Sequence, residues 1–217
     1  MILSLLDWKR LARIGYAASE DPDDVPQTIT GIRLTVTSSS IAALALDRYV
    51  LASNQLTLET GVSGWEGVIR AKQALHVEKD IRSLDRYRSK KDHPDETIKL
   101  RIDLADEWVD VTVDETDALF PAGETITRRL DVIDGAFPNP DGVLDAAAKY
   151  KPGKPVTVLD PEKIAKLAKT VDAPWLRLRI GDPATSAVQF ATTSPATGWE
   201  PDWFGLIMPV RDEGEPG

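Results

Sequence analysis

Between residues 30 and 52 the chain reads TGIRLTVTSSSIAALALDRYVLA, with apolar positions recurring every second residue. Ile32, Leu34 and Val36 alternate with Arg33, Thr35 and Thr37, the pattern of a half-buried strand. After three serines the alternation resumes at Ile41, Ala43 and Ala45. It breaks at Asp47-Arg48-Tyr49 and restarts at Val50-Leu51-Ala52. A hairpin serving only as scaffold would turn more economically on Asn-Gly. The charged, aromatic corner is therefore either an idiosyncratic turn or part of a surface that something else uses.

Helical periodicity appears in three places. The first helix is expected from about Leu5 to Ala18, with Trp8, Leu11, Ala12 and Gly15 on one face and Lys9, Arg10 and Arg13 on another. The second begins near Ala71, after the strand EGVIR. Val77, Ile81 and Leu84 form its apolar stripe, with Lys72, His76, Lys79 and Arg86 roughly opposite. The third opens with Asp160 as N-cap and Pro161 at the first helical position. It continues EKIAKLAKT, with Ile164, Leu167 and Ala168 inward and Lys163, Lys166 and Lys169 outward.

Strand-like alternation follows each helix. ITGIRLTVT and SIAALAL come after the first; ETIKLRIDL, WVDVTVDE and TITRRLDVI after the second; WLRLRIG, SAVQFATT and FGLIMPV after the third. The order strand–helix–strand–strand–strand thus recurs three times, a repeat of architecture though not of sequence. The predicted class is α+β, with helices on one face of antiparallel sheets. Residues 1–137 would form one domain of two half-domain units and 154–211 a further half-domain. The Pro-, Gly- and Lys-rich segment 138–153 reads as a linker, and 212–217 as a disordered tail.

Composition narrows the function classes. The 217 residues include no cysteine, which excludes disulfides, thiol catalysis and thiolate metal sites. The opening MILSLL has too short an apolar run for a signal peptide or a membrane span, so a cytoplasmic protein is expected. A formal net charge of −9 argues against bulk attraction to nucleic acid. The distribution of cations matters more, however, and all three helices carry them on the outward face. Acidic residues concentrate elsewhere, in SEDPDD, KDHPDE, DLADEW and DVTVDETD. Such segregation suits backbone contact with duplex DNA that ignores base sequence.

Catalysis is not indicated. His76 and His93, the two histidines, lie in no recognisable nucleophile motif, and no phosphate-cradling glycine loop is present. Asp103, Asp106, Glu107, Asp110 and Asp114 could hold Mg²⁺ in principle, but WVDVTVD places Asp110 and Asp114 on the solvated side of a strand. No metal or cofactor is expected. A metal-dependent enzyme is the reading that tight divalent binding by this cluster would favour.

Three segments carry a family resemblance. ITGIRLTVTSSSIAALALDRYVLA is similar to the LTGIRL-type strand followed by A-T-D-x-x-R-L-A of the bacterial DNA polymerase III β sliding clamp family. VIDGAFPNPDGVL resembles that family's G-x-F-P-D-Y-x-x-V-L segment, and FGLIMPVR its C-terminal Y-x-x-M-P-M-R. They occur in the family's order, and the resemblance runs from the first helix to Arg211. Leu46 departs from the usual Thr, Val50 stands where Arg is common, and Asn139-Pro140 replaces Asp-Tyr. The chain is also shorter than a three-domain clamp subunit, which suits a virus or mobile element as its source.

The resemblance implies two sites. In the family these segments converge on a groove that holds the short linear clamp-binding motifs of polymerases and loaders. By motif it would comprise Leu46, Arg48, Tyr49, Val50 and Leu51, then Pro138, Gly142 and Val143, then Leu206, Met208, Pro209, Val210 and Arg211. Leu, Val, Met and Pro make an apolar slot, and Arg211 can meet a carboxylate. Lys9, Arg10, Arg13, Lys72, Lys79, Lys163, Lys166 and Lys169 would line the DNA side. The expected protein is a non-enzymatic, nucleoid-associated clamp that self-associates into a ring. Family rings contain twelve half-domain units, so three units per chain imply four copies, and two full domains would imply three. WLRLRIG or SAVQFATT would extend a sheet between subunits. The alternative is a clamp-like decoy or adaptor that binds clamp-binding motifs without encircling DNA.

Overall fold

The first unit contains β1 (Ile2–Ser4), α1 (Leu5–Ala12), β2 (Gly31–Val36), β3 (Ser40–Leu46) and β4 (Val50–Thr57). The second contains β5 (Trp65–Arg70), α2 (Ala71–Arg82), β6 (Lys99–Leu104), β7 (Trp108–Val113) and β8 (Thr127–Asp131). After α3 (Asp141–Ala148), the third contains α4 (Pro161–Ala168), β9 (Arg177–Arg179), β10 (Val188–Ala191) and β11 (Trp203–Ile207). This computed structural model describes residues 1–20, 25–58, 64–84, 87–113, 126–148, 159–171, 176–180, 187–192 and 203–209.

The first two units are interlocked because each lends its opening strand to the other. β1 pairs antiparallel with β6, setting Leu3 against Leu100, while β5 pairs with β2, setting Ile32 against Ile69. One sheet therefore runs β1-β6-β7-β8 and the other β5-β2-β3-β4-β11-β10-β9. The third unit joins the second of these sheets through β4 and β11. β10 is paired on both sides, so SAVQFATT has no free edge with which to extend the sheet; β9 is the terminal strand.

The helices α1, α2 and α4 cover one side of these sheets. Ser4 caps α1 by accepting from the Asp7 amide at 3.0 Å, and Leu5, Trp8 and Leu11 enter the core. The Trp8 indole donates to the Ala74 carbonyl at 3.2 Å, which fixes α1 against α2. The α-helix stops at Ala12, short of the expected Ala18, and tightens into a 3-10 turn over Arg13–Ala17. Gly15 permits this: a Cβ there would lie 3.0 Å from both Ala71 Cβ and Ile32 Cδ1. Val77 and Ile81 of α2, and Leu84 just past its end, are buried as the periodicity requires. Asp160 caps α4 through the Glu162 amide at 2.8 Å, and Pro161 opens the helix. Only Leu167 of its expected inward residues is buried; Ile164 and Ala168 are exposed.

Part of the segment read as a linker folds as α3. Asn139 Oδ1 accepts from the Asp141 amide at 2.8 Å, and the Leu144 amide donates to the Pro140 carbonyl at 2.9 Å. No helix among the described residues is long and apolar enough to cross a membrane.

An ion cluster ties the segment before β6 to both helices of the first two units. Lys9 donates to Asp95 at 2.6 Å and lies 3.1 Å from Glu78, while Arg82 contacts Asp95 and the Tyr87 and His93 carbonyls. Burial alone would raise the Asp95 carboxyl, but hydrogen bonds from Lys9 and Arg82 outweigh it and hold the group below its ordinary 3.8. A carboxyl depressed on folding stabilises the native state above its unfolded pKa and loses that contribution as pH falls through the folded value. Asp95→Asn should therefore cost about 2 kcal/mol at neutral pH, because it leaves two largely buried cations under-compensated. In urea denaturation the gap between native and variant should close as the pH is lowered below 3.8; a gap that stays constant would show that the ion cluster does not stabilise the fold.

Candidate functional site

The β4–β11 ladder sets Val50 against Ile207, Leu51 against Leu206, Ala52 against Gly205 and Ser53 against Phe204. Side chains alternate across a strand, so one pairing furnishes two surfaces. Val50, Ala52 and Ile207 enter the main core beneath the helices. Leu51 and Leu206 face the other way and join Leu44 in a separate apolar cluster. Leu46, Phe137, Leu144, Ala187 and Phe204 pack against it. The result is a buried apolar cluster, the candidate slot, on the outer face of the sheet at the junction of the first and third units, with Phe137 and Leu144 packed on it from the chain around α3.

The structure distributes the expected groove residues unevenly. Leu46, Leu51 and Leu206 meet in the slot. Met208 continues the outward alternation of β11 and is 42% exposed, Pro138 and Pro209 are half-buried, and Gly142 is exposed with open space around it. Val143 belongs to α3. Val210 and Arg211 lie outside the described residues. Val50 is a correction: at 1% exposure it is a core residue, placed there by its register with Ile207. Arg48 and Tyr49 also leave the slot, lining a cleft of about 590 Å³ with Lys163, Lys166 and Lys169 of the third unit.

That corner has its own physical explanation. Asp47 Oδ1 accepts from the amides of Tyr49 at 2.7 Å and Val50 at 2.6 Å, closing the turn. Its Oδ2 accepts from Lys166 Nζ at 2.5 Å, and Lys163 Nζ lies 4.9 Å from the Tyr49 ring centroid. A single carboxylate thus shapes the turn and pins α4 over it. Asn-Gly could do the first task but not the second.

The eight expected DNA-side cations separate into two groups. Lys9 is held by Asp95 and Glu78, Lys166 by Asp47, and Lys163 by the Tyr49 ring. Arg13 is half-buried, and Arg10 is exposed with Asp7 at 3.5 Å. Lys72, Lys79 and Lys169 are exposed. On the opposite side, Arg129 takes Asp110 through two nitrogens at 2.9 and 2.7 Å, and its hydrogen bonds hold that carboxyl below the usual range. Asp103 pairs with Arg101, and Asp114 lies outside the described residues. Among the described residues no group of three or more His, Asp or Glu is placed to hold a metal ion.

Repeated strand–helix–strand units, with α1, α2 and α4 on one side and a sheet continuous from the first unit to the third, define a DNA-clamp fold. The chain is similar to the DNA polymerase sliding clamp of Pseudomonas aeruginosa, with TM-score 0.69 and 15% identity over 97% of this chain and 66% of that one. It is likewise similar to the sliding clamp of Bacillus subtilis (0.64, 15%, 97% and 64%) and the DNA polymerase β subunit of Streptococcus pyogenes (0.67, 12%, 97% and 65%). The chain thus has the architecture of DNA polymerase III β sliding clamps and spans about 65% of the length of these structures. No protein-family model matches it, and neither does any curated protein.

Leu44, Phe137, Leu144 and Phe204 were absent from the groove read by motif. A signal for Leu44 was available: SIAALAL is apolar at nearly every position, as a strand covered on both faces must be. The corner also yields a test. Asp47→Asn and Lys166→Met should each cost about 1 kcal/mol in chemical denaturation, because both keep the turn acceptor and lose the ion pair. Asp47→Ala should cost about 2 kcal/mol, since it also orphans two turn amides. Equal losses for all three would mean that the turn does not depend on this carboxylate.

Proposed function

We propose that the chain acts as a non-enzymatic DNA sliding clamp. Copies associate into a ring around duplex DNA, and the slot at the β4–β11 junction holds a short linear segment of a DNA polymerase or clamp loader. The observation that carries this reading is the apolar cluster of Leu44, Leu51 and Leu206 at the unit junction of a clamp-fold chain. The mechanism is topological: a closed ring cannot leave the duplex sideways, so a tethered polymerase stays at high effective concentration. Such a protein works in the cytoplasm, on the nucleoid.

The DNA side narrows to Arg10, Lys72, Lys79 and Lys169, with Arg13 beside them. Lys9 and Lys166 serve the fold through their carboxylate partners. A sparse lining of this kind supplies weak, sequence-independent contact, which lets a ring slide.

Self-association is supported by the third unit. β9 ends its sheet, and Leu178 and Leu176 beside it are 47% and 37% exposed, with Ile164 of α4 at 39%. An open edge flanked by apolar side chains favours association. Four copies remain preferred to three because the chain supplies three units toward twelve.

Two outcomes are expected. A synthetic peptide carrying Gln, Leu and Phe in alternation should bind with micromolar affinity, and Leu51→Ala with Met208→Ala should weaken it by about 2 kcal/mol or more. Undiminished binding by the double variant would remove the slot from the proposal. Native mass spectrometry at near-physiological salt should find a homo-oligomer that is retained on circular duplex, with retention lost when Lys72, Lys79 and Lys169 are reversed to Glu. A monomer at every concentration would overturn the ring and favour the adaptor, which binds the same peptides without encircling DNA.

A further inference from the structure

The three leucines at the centre of the candidate slot are already covered. Leu44, Leu51 and Leu206 stand on adjacent strands and face outward, yet they are only 7%, 6% and 2% exposed. A partner's apolar anchor has no room among them while that cover stays in place. Part of the cover is a stretch of the chain itself, with Phe137 just before α3 and Leu144 within it packed on the cluster. The stretch has the form of a linear ligand, two apolar anchors joined by the start of a short helix.

The way this stretch is attached distinguishes it from the sheet beneath. Gly135 takes a φ of 121°, a conformation open to glycine, and Thr28 Oγ1 donates to the Ala136 carbonyl at 3.2 Å. Beyond that point apolar and stacking contacts hold it down: Phe137 and Leu144 on the leucines, and the Arg33 guanidinium carbon 5.3 Å from the Phe137 ring centroid. The hydrogen bonds that shape α3 lie within the stretch, between Asn139 and Asp141 and between Pro140 and Leu144. Asp141, Gly142 and Asp145 are exposed, and a Cβ on Gly142 would meet nothing within 4 Å. Lifting the stretch would break apolar contacts, which an incoming apolar segment can replace in kind.

We infer that the segment Phe137–Leu144 is an internal occupant of the slot, a strap that must lift before a partner's peptide can seat its anchors. The inference rests on the peptide-binding reading of the slot. Met208 follows β11 on the same outward side as Leu206 and is 42% exposed, so it offers the peptide a first contact before the strap moves. A slot that is open only part of the time binds more weakly in proportion to that fraction. The strap also keeps an apolar patch out of water when no partner is present.

The test uses the full chain, a fluorescent peptide carrying the same Gln, Leu and Phe anchors, and two variants expected to act in opposite directions. Leu144→Ala, shown folded by circular dichroism, loosens the strap and should bind the peptide about tenfold tighter, with faster association. Gly142→Ala favours α3 without touching the body of the protein and should weaken binding about threefold. In the native chain, peptide binding should speed amide hydrogen exchange over 141–148, because a helix of eight residues has little stability off its support. Three results would each overturn the strap and make the segment a fixed wall: equal or weaker binding by Leu144→Ala, equal or tighter binding by Gly142→Ala, or slower exchange over 141–148 in the complex. Failure of the peptide to bind either the native chain or Leu144→Ala would instead overturn the slot itself.

Discussion

The pairing of β4 with β11 is the constraint on which the other features depend. It alone merges the third unit with the sheet of the first, and its register decides what both faces present. A slip of one residue would turn Leu51 and Leu206 into the core and put Val50 and Ile207 on the surface. The register is held from the helical side. Leu167 of α4 packs so closely on Gly205 that a Cβ there would lie 2.5 Å from its Cδ1. The Trp203 indole donates to Thr170 Oγ1 at 3.1 Å inside the core. Close packing on one face thus specifies the apolar slot on the other.

The cations show how a residue type can have two uses in one fold. Lys9 and Lys166 occupy the same helical faces as Lys72 and Lys169, yet each is bound to a carboxylate far away in the sequence, Asp95 and Asp47. Those pairs hold a loop and a helix in place, and their charge is already neutralised. Of the cations expected on these helical faces, Arg10, Lys72, Lys79 and Lys169 remain exposed on an acidic protein. Coulomb attraction of such cations to a duplex is weak and quickly screened by salt, so in the proposed reading retention would have to come from closure of a ring.

Local signals in the sequence were dependable where local physics sets the outcome. Asp160-Pro161 starts α4, the two-residue period gives β2 and β3, and Val77 and Ile81 are buried on α2, with Leu84 just past its end. The departures came from tertiary partners. Val50 follows a turn and occupies a position of the binding-groove motif where Arg is common, but its register with Ile207 makes it core. Ile164 has the period of a buried residue and remains exposed. The exchange of β1 and β5 between units left no trace in spacing, because either strand could have paired within its own unit. Arg33 read as the polar half of an alternating strand, and only Phe137, distant in sequence, gives it a different environment.

The strand exchange also clarifies what the third unit lacks. In the first unit β2 receives β5 along its outer edge, and in the second β6 receives β1. The third strand in that position is β9, and among the described residues it receives none. Its open backbone is accompanied by exposed Leu178 and, on the helix above, exposed Ile164, where α1 and α2 cover each other's apolar faces. A flat edge-to-edge contact would satisfy the hydrogen bonds of β9 but leave those side chains in water. A strand followed by a helix would satisfy both, as β5 with α2 does for the first unit. In the proposed ring, a partner that lends a strand and a helix together would form sheet continuation and helix packing in a single association step.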